Sequence, residues 1–252
     1  MMCNLRAAVV FLTRVPVPLR SEPSLTSAVP WFPVVGALVG AAVGGAAVGL
    51  LHLVPPLVAA AIAVLFGVLL TGAFHEDGLA DVADAFAGGW TPADRIRILD
   101  DPLHGSYGVA ALCGSIIIRV GAVASLGFSP AAAFASVLAA HALGRTAAVG
   151  LMATVRVARP DGLGADYARS LSRPRALAGS AAGAAIAAVA VGWWVGPFVI
   201  AAIAGAGAVG WLSMRKLGGI TGDVLGAAEQ VVECLVLVTA TGLATRYNLW
   251  WS

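Results

Sequence analysis

Apolar residues come in long blocks along this chain, with no strict alternation. Several runs of 17 to 21 residues carry one ionisable group or none, the length a helix needs to cross a hydrocarbon core. The blocks predict seven spans, at about 34–54, 57–73, 108–127, 131–153, 176–195, 197–213 and 224–244. Pro55-Pro56, Pro130 and Pro197 fall at the turns between neighbours, where a residue that cannot continue a helix belongs. Gly36, Gly40 and Gly44 stand four apart in the first span, a spacing that lets two helices approach closely in lipid. Residues 4–15 predict a short helix with Asn4 at its N-cap, bracketed by Arg6 and Arg14 and closed by Pro16 and Pro18. It is too short to span, and its apolar run is too short for a secretory signal.

Composition agrees with that pattern. The chain is 60% hydrophobic and 11% charged, whereas a soluble domain is about half apolar and a quarter charged. The expected fold class is therefore all-α: a polytopic helical membrane protein, with residues 1–252 as one catalytic domain. Cys3, Cys113 and Cys234 are far apart and imply neither a metal site nor a disulfide framework. The net charge of +2 says less than its distribution. Seven alternating spans place the N-terminus and the loops 74–107, 154–175 and 214–223 on one side, with 12 of the 15 Lys and Arg residues. Arg119 and Arg145 fall within spans, and only Arg246 falls on the far side. That asymmetry marks the crowded side as cytoplasmic, and Tyr247, Trp250 and Trp251 suit the opposite interface.

The charge that is left is concentrated. Glu76, Asp77, Asp81 and Asp84 crowd into nine residues, and Asp94, Asp100 and Asp101 follow. Three Asp at the centre of a membrane helix would cost roughly 7 to 10 kcal/mol, so a lipid-facing position is excluded. On a helix over 76–86, Asp81 lies about 40° from Asp77 and Asp84 about 20° to the other side. The i, i+4, i+7 row presents hard oxygen ligands to magnesium, with Asp77, Asp81 and Asp84 as the candidate metal ligands. A solvated acidic face is the competing reading, but basic partners at i±4 are absent and apolar residues fill the remaining positions. Glu76 points about 100° away from Asp77 and is not counted as a ligand. His75 precedes the row as a phosphate or base contact. Asp101-Pro102 ends a short helix, and the stretch Asp101 to Gly108, with His104, lets backbone amides meet an anion before the next span. Lys216-Leu217-Gly218-Gly219-Ile220-Thr221-Gly222-Asp223 suits a phosphate-cradling turn, with Thr221 or Asp223 also able to cap the last helix. Asp223 can reach the acidic row and joins the candidate catalytic set. Arg145 within a span is a candidate substrate contact, with pairing to Glu233 as the plainer alternative.

These stretches, taken in order, resemble the cobalamin synthase family, the adenosylcobinamide-GDP ribazoletransferases. The resemblance rests on Phe11 to Pro18, Gly72 to Asp84, Leu99 to Gly108, Gly162-Leu163-Gly164, and Gly219 to Ala228 with Glu233. Two positions depart from the family pattern. Asp100 stands where a basic residue is expected, and Glu229-Gln230 where an apolar residue is more often followed by an acid. The resemblance implies transfer between adenosylcobinamide-GDP and α-ribazole, or its 5′-phosphate, with release of GMP. It also implies magnesium as cofactor and the bacterial inner membrane as location, with the site facing the cytoplasm. The expected partners are the corrinoid-GDP and ribazole substrates and the lipid bilayer; no nucleic acid is expected, and an oligomer is left open. Two other readings compete. A CDP-alcohol-type membrane phosphotransferase would show an Ala-Arg after the first Asp-Gly, which is missing here. A cation-coupled transporter would spread acids near the midplane of several spans.

Overall fold

The structure is a computed structural model that describes residues 2–18, 25–159 and 171–249. Among the described residues the regular structure is helical, apart from one isolated bridge. They form α1 (Met2–Leu12), α2 (Leu25–Ala28), α3 (Phe32–Leu50), α4 (Pro56–Thr71), α5 (Phe74–Gly88), α6 (Pro92–Leu99), α7 (Ser106–Ser125), α8 (Pro130–Thr154), α9 (Arg173–Val191), α10 (Val195–Lys216) and α11 (Gly222–Ala244). Gly162-Leu163-Gly164, part of the resemblance, and Trp250 and Trp251, expected at the far interface, lie outside the described residues.

Among the described residues, five segments are long and apolar enough to cross a bilayer, and the pair α4–α5, bent by 90°, would make a sixth. The seven expected spans all fall on helices. The lower count arises because α9 and α10 run on through a 3₁₀ turn as one stretch of 44 residues, and because α4 has 16 residues. A straight helix of that combined length would reach about 66 Å, twice a hydrocarbon core. Gly192 breaks it at φ 59°, ψ −131°, a left-handed φ that glycine adopts freely. The two helices then return along α8. Gly183 of α9 lies against Thr146, Gly210 of α10 against Leu151, and one apolar groove along Leu143–Thr154 is lined by Ser180 and Ala184 on one side and by Val199 to Gly207 on the other.

α8 is the axis of the bundle, packed by α3, α9, α10 and α11. The glycine spacing of the first span is realised here. A Cβ on Gly36 would lie 2.5 Å from the His141 carbonyl oxygen, and one on Gly40 2.8 Å from the Leu138 Cα. Without a side chain in the way the two backbones close, which is what drives helix association where lipid is as apolar as leucine. Gly40→Val is therefore expected to wedge α3 from α8 at a cost of about 1–3 kcal/mol. Size-exclusion profiles of detergent-extracted protein should show a smaller monodisperse fraction than for the unaltered chain.

α4 supplies the apolar part of the bent pair. α5 holds four carboxylates and belongs to none of the five single-segment spans; it sits at the end where α10 finishes and α11 begins. The bend itself uses two left-handed residues, Gly72 (φ 69°) and Ala73 (φ 58°). α1 and the residues after it support the bend: the Arg14 amide donates to the Leu70 carbonyl (2.8 Å), and Phe11 stacks on Phe32 and meets Phe74 edge-on, at 5.4 and 5.3 Å. α1 begins at Met2, so Asn4 sits inside its first turn, not at the expected N-cap. α6 opens on a capping box, in which Thr91 and Asp94 bond each other's backbone amides; the Thr91 hydroxyl (2.8 Å) and then its amide (3.1 Å), both donating to the Asp94 carboxylate, hold it below its ordinary range. The 154–159 and 217–221 segments are stitched by a parallel bridge between Val157 and Ile220. Gly219 is required there, because a Cβ would meet the Val157 carbonyl carbon at 2.5 Å.

Candidate active site

α5 presents two faces of opposite character. Its open face carries Asp77, whose side chain is 63% exposed, and Asp81, at 12%. His104, from the loop before α7, stands between them, with Nε2 3.4 Å from Asp77 Oδ1 and Nδ1 3.2 Å from Asp81 Oδ1. Asp223, in the first turn of α11, completes the group: a Cβ on Gly78 would lie 2.8 Å from its carbonyl oxygen. Burial, followed by the charges of Asp77 and then Asp223, pushes the Asp81 carboxyl up to about 6, with His104 acting in the other direction. Thr221 caps α11, accepting from the Val224 amide at 3.3 Å, and its hydroxyl donates to Asp223 at 3.2 Å.

Asp84 has a different occupation from its two neighbours in the row. Its carboxylate accepts the amides of Gly105 (2.6 Å) and Gly108 (2.9 Å). A carboxylate at the start of α7 satisfies donors that have no partner within the helix and complements its dipole. Gly105 has no room for a side chain because a Cβ would lie 2.7 Å from Asp84 Oδ1. Asp84 thus anchors the loop that carries His104 over Asp77 and Asp81. Asp101 shapes the same loop, accepting from the Leu103 amide at 3.0 Å. Lys216 reaches the far end of α5, where its ammonium donates to the Phe86 carbonyl at 2.6 Å, one of the last carbonyls that the helix leaves unbonded. Arg95 bonds the Lys216 carbonyl at 2.9 Å. At the position where the family pattern calls for a base, Asp100 accepts from Arg159 at 2.7 Å.

The inner face of α5 enters a buried ionic network. His75 and Arg145, both expected among the substrate contacts, are 1% exposed and lie in it. His75 Nε2 is 2.8 Å from Glu229, and Arg145 Nε is 3.1 Å from the same oxygen. Arg145 also bonds Glu233, so the plainer alternative describes its partner. His141 reaches Glu233 at 2.7 Å, and Arg119 lies 3.5 Å from its other oxygen. Arg119 donates to Glu76 at 3.0 Å. Buried charges of opposite sign in contact offset each other's desolvation. The transporter reading needs acids free along a path, and here the deep acids are paired.

The network was not legible as a unit, although two signals pointed to it. His141 and Arg145 stand four apart in one apolar span, and Glu229 and Glu233 four apart in another, so each pair shares a face. Among the described residues, no three His, Cys, Asp or Glu side chains already converge as a metal shell. The chemistry of the open face nonetheless suits a divalent cation: Asp77, Asp81 and Asp223 are hard oxygen donors whose mutual repulsion is opposed by the His104 imidazole and, at Asp223, by the charge of Arg159.

Comparison with known proteins agrees with this layout. The family model described as Cobalamin-5-phosphate synthase matches residues 4–241. An adenosylcobinamide-GDP ribazoletransferase from Chlorobaculum tepidum is 39% identical, with 95% of each chain covered. One from Ralstonia nicotianae is 41% identical, with 93% of each chain covered. No solved structure matches the chain.

Proposed function

The chain belongs to the cobalamin-5-phosphate synthase family, and from that premise we propose that it joins adenosylcobinamide-GDP to α-ribazole, or its 5′-phosphate, and releases GMP. The observation that carries this reading is the open acidic face of α5. Asp77, Asp81 and Asp223 gather there on two helices, within a match that extends over nearly the whole chain. A ribose hydroxyl of the acceptor attacks the phosphorus that stays with the corrinoid, and the bond to GMP breaks. Asp223 and His104, both beside the acid pair, are the groups placed to accept the hydroxyl proton. Asp77 and Asp81 would hold magnesium, which supplies charge neutralisation for the diphosphate and the departing GMP. Arg95, Arg97, Arg156, Arg159 and Lys216 share this end of the molecule, and their positive potential draws an anionic substrate. The excess of Lys and Arg at this end supports a cytoplasmic orientation of the site, in the inner membrane of a bacterium.

Complementation tests the assignment. A cell unable to attach the nucleotide loop to cobinamide should grow on cobinamide when it carries this chain. No growth, with the protein present in the membrane, would refute the assignment. A second outcome follows from Asp81. A carboxyl held up near 6 carries a proton below that pH, and a metal needs the ionised form. The magnesium concentration giving half-maximal GMP release is therefore expected to rise as pH falls below about 6, by up to tenfold per unit, and to stay flat above it.

A further inference from the structure

Apolar packing lets a helix slide and turn a little; a pair of buried charges does not. α5 enters its first turn from a backbone that disfavours it, since Ala73 is left-handed and a non-glycine residue there is strained by about 1–3 kcal/mol. Such a conformation persists only when the surroundings over-determine it. Two buried contacts follow at once, His75 to Glu229 of α11 and Glu76 to Arg119 of α7. Glu76 is the neighbour of Asp77 and faces the opposite way. It is 3% exposed, its Oε1 takes the Arg119 bond at 3.0 Å, and its Oε2 has no hydrogen-bond partner. Among the described residues the Arg119 bond is thus its one hydrogen bond, to which the Arg145 guanidinium adds an electrostatic attraction.

We propose that Glu76 and Arg119 are positioning residues for the acidic face: their pair sets the rotation of α5 about its own axis, and so the direction in which Asp77 and Asp81 leave it. The inference rests on the reading of those carboxylates as magnesium ligands. The leverage is large. A turn of about 20° moves a group on the helix surface by about 2 Å, and a misplacement of about 1 Å can cost 100-fold in rate. The pair is also separable from the remainder of the fold. Glu233 still joins α8 to α11 through Arg145 and His141 when Glu76 and Arg119 are both neutral, and the net charge of the network is unchanged.

The test uses the full chain in detergent, with Glu76→Gln, Arg119→Gln and the double variant. Each single change strands a buried charge and should lower the thermal midpoint. The double change removes both charges and should recover most of that loss. Mn²⁺ binding without substrate, followed by the EPR signal of the free ion, is the second readout. A purely structural pair predicts that binding recovers together with the midpoint in the double variant, and that result would overturn the proposal. The positioning role predicts a recovered midpoint with Mn²⁺ binding still tenfold or more weaker. The magnesium requirement should rise by a similar factor while KM for the corrinoid substrate stays within twofold. Arg119→Lys keeps the charge and loses the planar geometry, so it should fold normally and still weaken Mn²⁺ binding severalfold; unchanged binding in that variant also counts against the proposal. Asp81→Asn serves as the control. If it leaves Mn²⁺ binding intact, the metal reading fails and the inference falls with it.

Discussion

Replacing Asp81 by Asn is expected to lower transfer by about 100- to 1,000-fold, the range seen when one preorganised charge-stabilising group is removed, while the protein inserts and folds as before. The fold makes little use of Asp81. Its recorded partner is His104 at 3.2 Å, and its burial beside Asp77 and Asp223 disfavours its charge. A neutral side chain of the same shape relieves that penalty. Membranes carrying the variant should therefore contain normal amounts of protein with a normal thermal midpoint, and GMP release should be nearly absent. Asp84→Asn is the informative contrast. Asp84 accepts two backbone amides at the start of α7, and an amide side chain would turn a donor toward one of them. Its activity loss should come with a measurable loss of stability.

The second large effect concerns Glu233. This one carboxylate, 1% exposed, meets Arg145, His141 and Arg119 from two other helices. Glu233→Gln keeps its volume and deletes the charge, leaving two guanidiniums with less compensation in a buried site. Removing one partner of a buried pair costs about 3–5 kcal/mol, equivalent to a fall of about 6–20 °C in the midpoint of a chain of this size. Thermal unfolding of the detergent-solubilised protein measures it directly. A shift of only a degree or two would mean that water already compensates these charges.

The sequence shows these features in unequal measure, for a physical reason. Whatever depends on neighbours along one helix was readable. The apolar blocks marked every spanning helix. The spacing of Gly36, Gly40 and Gly44 marked the close approach that α3 makes to α8. The 100° step per residue separated Glu76 from Asp77, and the structure buries one and exposes the other. What depends on which helices meet was not readable. Residues 76 and 119 are 43 apart, and no spacing rule joins them. The same limit hid the occupation of Asp84. Periodicity placed it in line with Asp77 and Asp81, but the glycine amides that take up its oxygens come from a loop folded back from position 105 onward. His75 and Arg145 looked like substrate contacts because charge in an apolar chain suggests function. Their partners, Glu229 and Glu233, come from another helix far along the chain.

The most direct measurement is GMP release by the purified chain supplied with adenosylcobinamide-GDP and α-ribazole, with and without magnesium, beside the Asp81→Asn variant. The expected result is release that requires both the acceptor and the metal, and that is lost in the variant. Release that persists undiminished in the Asp81→Asn protein, or that proceeds equally well without a divalent ion, would contradict a transfer centred on the acidic face of α5.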